Sequence, residues 1–323
     1  MTGKDLRIVF MGTPEFAVAS LQMLVESGYQ VVGVITAPDK PAGRGMKMQE
    51  SDVKKYALEK GLPVLQPEKL KNPDFISDLK SLEADLQIVV AFRMLPEMVW
   101  AMPRFGTFNL HGSLLPQYRG AAPLNWAVIN GEKETGVTTF LLDHEIDTGK
   151  ILFNEKIVIH DNDTVGDIHD RLMEIGAKLV LKTVDAIARG NYIPISQDQS
   201  VSESLKHAPK LFKEDCHIDW SKPGEQIRNL IRGLSPYPGA WTELTGADGQ
   251  IFTLKIFFAE FFPASGLLPG TVFSDGKTIL KIAASDGWLN LTDLQLSGKK
   301  RMKTEEFLRG FHGSFELRVV SHG

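Results

Sequence analysis

The sequence predicts two units in tandem, an α/β half built on a parallel sheet and then a small β-barrel. Three observations carry this expectation. Residues 6–36 read as strand, helix and strand, a βαβ unit that calls for a parallel sheet. From Ala240 onward, short alternating apolar runs recur at intervals suited to a barrel of five or six strands. At 323 residues the chain is also long for one compact core. The expected partition is a catalytic α/β domain over 1–189, a linker over 190–212 with little pattern, and a barrel over 213–323.

Residues 6–11 form an apolar strand broken by Gly12, and Thr13 is expected to cap a helix with Pro14 at its first position. Phe16, Ala17, Leu21, Leu24 and Val25 fall on that helix's buried side, and Gly28 stops it. Residues 30–36 make the second strand. Residues 37–50 (APDKPAGRGMKMQE) then show no periodicity, but carry Lys40, Arg44 and Lys47 away from the C-terminal end of a parallel strand. Open α/β sheets bind ligands there, so the segment reads as a solvated loop or as a basic arm for a polyanion. Ser51 or Asp52 caps a helix to residue 60, and residues 63–65 form a short strand. Asn72-Pro73 opens a helix to residue 82, and residues 86–91 form a strand that releases Phe92-Arg93-Met94-Leu95-Pro96. Residues 106–110 feed the next loop. A helix over 124–130, strands over 135–142 and 151–159 (the second antiparallel), and a helix capped by Thr164 complete this half.

The most informative stretch is 109–120 (NLHGSLLPQYRG). Asn109 and His111 stand two residues apart, so in extended chain their side chains leave one face. Gly112 lets the backbone turn, while Pro116 and Gly120 keep the next residues out of regular structure. Alone, such residues could simply cap nearby backbone groups. The loop 143–149 adds Asp147 after the next strand, where the two loops can converge. Ser113 lacks the G-x-S-x-G setting of a nucleophile, and His111, His144 and Asp147 lack metal-ligand spacing, so no metal is expected. An amide donor beside an imidazole–carboxylate pair suits acyl-type transfer to an amine.

Composition narrows the partners. A net charge of −4 and a pI near 6.1 give no global basic field, so any nucleic-acid contact must come from local patches. One such patch is the turn 298–303 (GKKRMK). Cys216 is the only cysteine, which excludes disulfides within the chain and a thiolate-rich metal site. No apolar run approaches a bilayer span and no leader is expected, so the cytoplasm is the expected compartment.

Residues 10–17 (FMGTPEFA), 38–47, 109–123 (NLHGSLLPQYRGAAP), 143–149, Ile218-Asp219-Trp220, 235–240 (SPYPGA) and 298–308 together resemble the methionyl-tRNA formyltransferases, in order and over nearly the whole chain. The resemblance implies a Rossmann-like formyltransferase catalytic domain followed by an OB-like barrel. It implies formyl transfer from 10-formyltetrahydrofolate, as formyl-donor substrate, to the α-amine of methionyl-initiator tRNA. Asn109, His111 and Asp147 match the catalytic trio. Ser113, Leu114, Leu115 and Pro116, with Phe92, Arg93, Met94, Leu95 and Asp143, match positions that read the folate. Many relatives carry Tyr-Gly where Phe92-Arg93 stands, which puts a side-chain role for Arg93 in doubt. The tRNA would meet Lys40, Arg44, Lys47, Lys210, Lys299, Lys300, Arg301 and Lys303. A monomer with no membrane and no DNA partner is expected. The trio alone does not choose the acceptor. A sugar-nucleotide formyltransferase, a formyltetrahydrofolate hydrolase and a non-catalytic RNA-binding module are the rivals, and the basic arm and second domain favour tRNA.

Overall fold

The structure is a computed structural model that describes residues 2–42, 47–197, 205–246, 249–310 and 318–320. It opens with β1 (Arg7–Gly12), α1 (Glu15–Glu26) and β2 (Gln30–Ile35), the expected βαβ unit. Helix α1 begins later than the sequence suggests. Pro14 is its N-cap rather than its first residue, and no side chain caps it, so Thr13 stays in the preceding loop. Over 37–50, where no pattern is legible, the chain pairs as a short hairpin of β3 (Lys40–Ala42) and β4 (Lys47–Gln49).

Next come α2 (Asp52–Glu59), β5 (Val64–Leu65), α3 (Pro73–Ser81), β6 (Leu86–Val90), α4 (Glu97–Trp100) and β7 (Thr107–His111). Ser51 Oγ caps α2 by accepting from the Lys54 amide at 3.0 Å, and Asn72 caps α3 with Pro73 in its first turn. After β8 (Arg119–Gly120) and α5 (Pro123–Ile129), β9 (Glu134–Leu141) and β10 (Ile151–Val158) precede the long α6 (Val165–Arg189).

The seven-stranded sheet runs β10-β9-β7-β6-β1-β2-β5. The five strands from β7 to β5 are parallel, while β9 and β10 are antiparallel at one edge. All five residues of β6 are buried, as expected of a strand covered on both faces. The chain moves outward from β1 to β2 and β5, then returns to the other side of β1 with β6 and β7. The junction of β1 and β6 is thus a topological switch point, where ligands of open α/β sheets bind.

The segment after α6 holds β11 (His207–Ala208), which pairs parallel with β8. Then α7 (Gly224–Gly233) leads to β12 (Ala240–Thr245), β13 (Ile251–Pro263), β14 (Val272–Ser274), β15 (Leu280–Ala283), β16 (Gly287–Leu296), β17 (Met302–Lys303), α8 (Thr304–Gly310) and β18 (Arg318–Val319). These strands form an antiparallel sheet ordered β14-β15-β16-β13-β12-β18, with β17 on β16. A bridge between Thr271 and Arg318 draws its two edges together, so the sheet is nearly closed into a barrel. Bulges at Ile256–Ala259 bend the long β13. Leu244, Leu254, Ile256, Leu280, Leu289 and Leu294 fill the interior.

The chain divides into two compact units, and the division is not a single cut. One comprises Met1–Pro123, Glu134–Val158 and His169–Ala208; the other comprises Leu124–Lys133, Ile159–Ile168 and Pro209–Gly323. Side-chain bonds tie the two early segments to the later one. Asn125 Nδ2 donates to the Gly233 carbonyl at 2.8 Å, Trp126 Nε1 to the Pro209 carbonyl at 2.8 Å, and Arg232 to the Asp163 carbonyl at 3.1 Å. Among the described residues, no helix is long and apolar enough to cross a membrane.

Candidate active site

Strand β7 carries the first two site residues. Asn109 and His111 leave its same face, as their spacing requires, while Leu110 points to the other face and packs against Gly176 of α6. His111 is the last strand residue rather than part of the loop, because it pairs with Thr138 of β9. Both neighbours of β7 hold its backbone, so the position of the imidazole is set by the sheet. Asn109 is half-buried, and its amide makes no hydrogen bond to the described residues.

His111 is 6% exposed, and its Nε2 lies 2.9 Å from the Tyr118 carbonyl. A carbonyl only accepts, so Nε2 carries the proton and, in the neutral ring, Nδ1 is the lone-pair nitrogen. That Nδ1 faces Asp147 Oδ2 at 3.8 Å, beyond hydrogen-bond range. Asp147 Oδ2 also accepts from the Gly120 amide at 2.9 Å, which ties the two loops together. Phe140 lies edge-on to the imidazole, 6.4 Å between centroids.

Residues 113–118 fold into a turn that satisfies itself. Ser113 Oγ donates to the Gln117 carbonyl at 2.6 Å, and the Ser113 carbonyl accepts from Thr138 Oγ1 at 2.6 Å. Thr138 Oγ1 in turn accepts from the Leu115 amide at 3.2 Å, and the Leu115–Pro116 peptide is cis. The Ser113 hydroxyl is therefore committed within the turn, and Leu114 packs over Gly136 of β9. Leu115 is buried with Phe140 and Ile151.

The loops beyond β1, β2, β5 and β6 line a cleft of about 480 Å³ with Thr13, Ala37, Pro38, Asp39, Lys40, Glu68, Phe92 and Arg93. This is the switch point identified above. Arg93 spends its guanidinium on backbone, donating to the carbonyls of Pro67 and of Glu68. Burial lowers its pKa from the usual value. Its fixed guanidinium forms a wall of the cleft, whereas Met94 is exposed and Leu95 is buried in the core. Asp143 is exposed, and its carboxylate accepts from the next amide, that of His144.

The basic candidates separate. Lys40 is exposed on the hairpin and lines the cleft. Lys47 lies in β4, and Arg44 lies outside the described residues. Lys210 is exposed above the Phe212 ring at 5.4 Å. Lys299 and Lys300 are exposed, whereas Arg301 makes two 2.8 Å bonds to Asp293 and Lys303 approaches the same carboxylate at 3.4 Å. Two of the four charges of that turn are thus shared with one acid.

Three site-building features escape the sequence. The Tyr118 carbonyl and the Gly120 amide are backbone groups that no residue type announces. Gln197 lies in the stretch expected to be a featureless linker, yet it holds the Asp147 loop through two hydrogen bonds. At Gly149 the close approach of the Leu141 carbonyl leaves no room for a Cβ.

Two family models match the chain, formyl transferase over residues 6–184 and formyl transferase C-terminal domain over residues 210–312. The chain is 58% identical to the methionyl-tRNA formyltransferase of Bacteroides fragilis, over 99% of this chain and 100% of that one. It is 60% identical to that of Bacteroides thetaiotaomicron, over 96% and 97%. In fold it is similar to the N-formyltransferase of Helicobacter canadensis, solved with folinic acid and dTDP-3-aminofucose. That match has a TM-score of 0.63 and 21% identity, over 92% of this chain and 100% of that one. The chain therefore belongs to the methionyl-tRNA formyltransferase family.

Proposed function

We propose that this enzyme moves the formyl group of 10-formyltetrahydrofolate to the α-amine of methionyl-initiator tRNA, supporting translation initiation from the cytoplasm as a monomer. The observation that supports the chemistry is an Asn109 side-chain amide with no partner among the described residues, beside a His111 whose Nδ1 faces Asp147. The amine nitrogen attacks the formyl carbon, and the carbonyl oxygen becomes an oxyanion that accepts from Asn109 Nδ2. The ammonium proton passes to His111 Nδ1, directly or through Asp147, and the carboxylate stabilises the imidazolium. The carbon–N10 bond then breaks, and that proton is returned to the departing nitrogen.

The turn at Ser113, Leu114, Leu115 and Pro116, the strand end at Phe92, Arg93, Met94 and Leu95, and Asp143 would read the folate, mostly through backbone. For the RNA, Lys40 and Lys47 of the hairpin arm, with Arg44, Lys210, Lys299, Lys300, Arg301 and Lys303, would meet phosphates. The deciding experiment gives the enzyme 10-formyltetrahydrofolate with charged initiator tRNA, free methionine or a nucleotide-linked amino sugar. Formylation of the charged tRNA alone is expected. Transfer to the sugar, or formate release with no acceptor, overturns the assignment.

A further inference from the structure

Gln197 is 8% exposed, and every polar atom of its amide is engaged. Nε2 donates to the carbonyls of Asp147 at 2.9 Å and Gly149 at 2.8 Å, which uses both of its protons. Oε1 accepts from Arg119 Nε at 3.1 Å and Nη2 at 2.7 Å. One side chain thus spans the two loops that meet at the site. Arg119 comes directly after Tyr118, whose carbonyl fixes the His111 tautomer, and precedes Gly120, whose amide holds the Asp147 carboxylate.

Asp147 needs such support. Its φ is +57°, a left-handed conformation that non-glycine residues adopt only where the surroundings impose it. Its carboxylate is tethered by Gly120 and its carbonyl by Gln197, so both ends of the residue are fixed. The backbone around residue 118 is braced likewise. The Tyr118 amide donates to the Lys206 carbonyl at 2.6 Å, and Gln117 Oε1 accepts from the Lys206 amide at 2.9 Å.

We propose that Gln197 is a positioning residue for the reaction, setting the separation of Asp147 from His111 by locking the Asp147 loop to the Tyr118–Gly120 loop. The inference rests on the catalytic reading of Asp147 given above. Gln197 touches none of the reacting groups. It acts through the geometry of the pair, where a misplacement near 1 Å costs up to about 10²-fold in rate.

The test is a double-mutant cycle on the full-length enzyme. Gln197→Glu keeps the shape but turns the two donors into an acceptor facing two carbonyls, and Gln197→Met keeps the length with no polar atom. Each is expected to lower kcat at least about tenfold while the KM for folate and for tRNA stay within about twofold. In an Asp147→Asn background, Gln197→Glu should cost no further kcat, because the group it positions is gone. Equal losses in both backgrounds, or parental kcat in a folded Gln197→Met, overturn the proposal. Parental kcat in Asp147→Asn itself overturns the catalytic reading as well, so the two failures are distinguishable. If neither Gln197 variant folds, Arg119→Met releases the Oε1 side alone and carries the same cycle. A loss of kcat that vanishes in the Asp147→Asn background is expected from it, and parental or additive behaviour overturns the proposal.

Discussion

The loop after β7 and the hairpin arm both leave the carboxyl ends of parallel strands of one sheet, while the Asp147 loop follows the antiparallel β9. The His111–Asp147 loops and the arm are held in different ways. Around His111 and Asp147 nearly every polar group is internally satisfied, from the Tyr118 carbonyl to the Gln197 amide, and His111 itself is buried. Among the described residues, the arm of β3 and β4 has its side-chain ties at its root. There Lys54 Nζ reaches Asp39 at 2.5 Å and Glu50 at 2.9 Å, one acid on each stem, and Gln66 Nε2 donates to Asp39 and to the Ala37 carbonyl at 2.8 Å each. Hydrogen bonds from Lys54 and Gln66 hold the Asp39 carboxyl below the usual carboxylate range. A reaction centre needs fixed distances between a few atoms, whereas a contact with a long polyanion needs charge in roughly the right place.

Substitutions can break this contrast, and the largest effects belong to the loops. His111→Ala should lower kcat by about 10²–10⁴ with little change in either KM, the range for losing a positioned acid–base group. Asn109→Ala should lower it by about 10²–10³, the range for one oxyanion donor. Steady-state kinetics in both substrates checks each. A rise in the folate KM with unchanged kcat would move these residues from chemistry to binding.

At the arm the pattern should invert. Lys54→Met frees both stems and should raise the tRNA KM roughly three- to tenfold while leaving the folate KM unchanged. Limited proteolysis of the variant within 37–50 would report the loosened root. Lys40→Ala should act more weakly and reduce the slope of log K for tRNA against log salt by about one, as loss of one phosphate contact does. An unchanged slope would confine Lys40 to the cleft.

The basic turn of the barrel tests whether charge or pairing decides to which kind a region belongs. By composition it resembles the arm, but Arg301 is paired like a loop residue. Burial pushes the Asp293 carboxyl up, while the bonds from Arg301 and Lys303 more than offset this and hold it below the usual range. A lowered carboxylate pKa stabilises the fold above the unfolded value, near 3.9, and that stability is lost as pH falls through the folded value. Arg301→Ala should therefore destabilise at neutral pH by about 1–2 kcal/mol in urea titrations and flatten the loss of stability below about pH 4. Its effect on formyl transfer should be the smallest of the set.

Much of the site was legible for local reasons. A two-residue spacing on a strand puts Asn109 and His111 on one face whatever surrounds them, and the βαβ pattern of 6–36 implies the parallel sheet that delivers them. The hairpin at 37–50 was not legible, since two three-residue strands leave too few alternating positions to read. The partners of segments 124–133 and 159–168 were not legible either. Asn125, Trp126 and Asp163 bond to residues some 70 to 110 positions later, which no local spacing can report.

By itself the sequence determined the sheet, the barrel, and which amide, imidazole and carboxylate could act, because residue type and periodicity act within a few positions of chain. Only the tertiary structure decided which nitrogen of His111 holds its proton, how near Asp147 comes, and that Gln197 ties the two loops. Those depend on backbone carbonyls and amides, which every residue possesses and only folding brings into place.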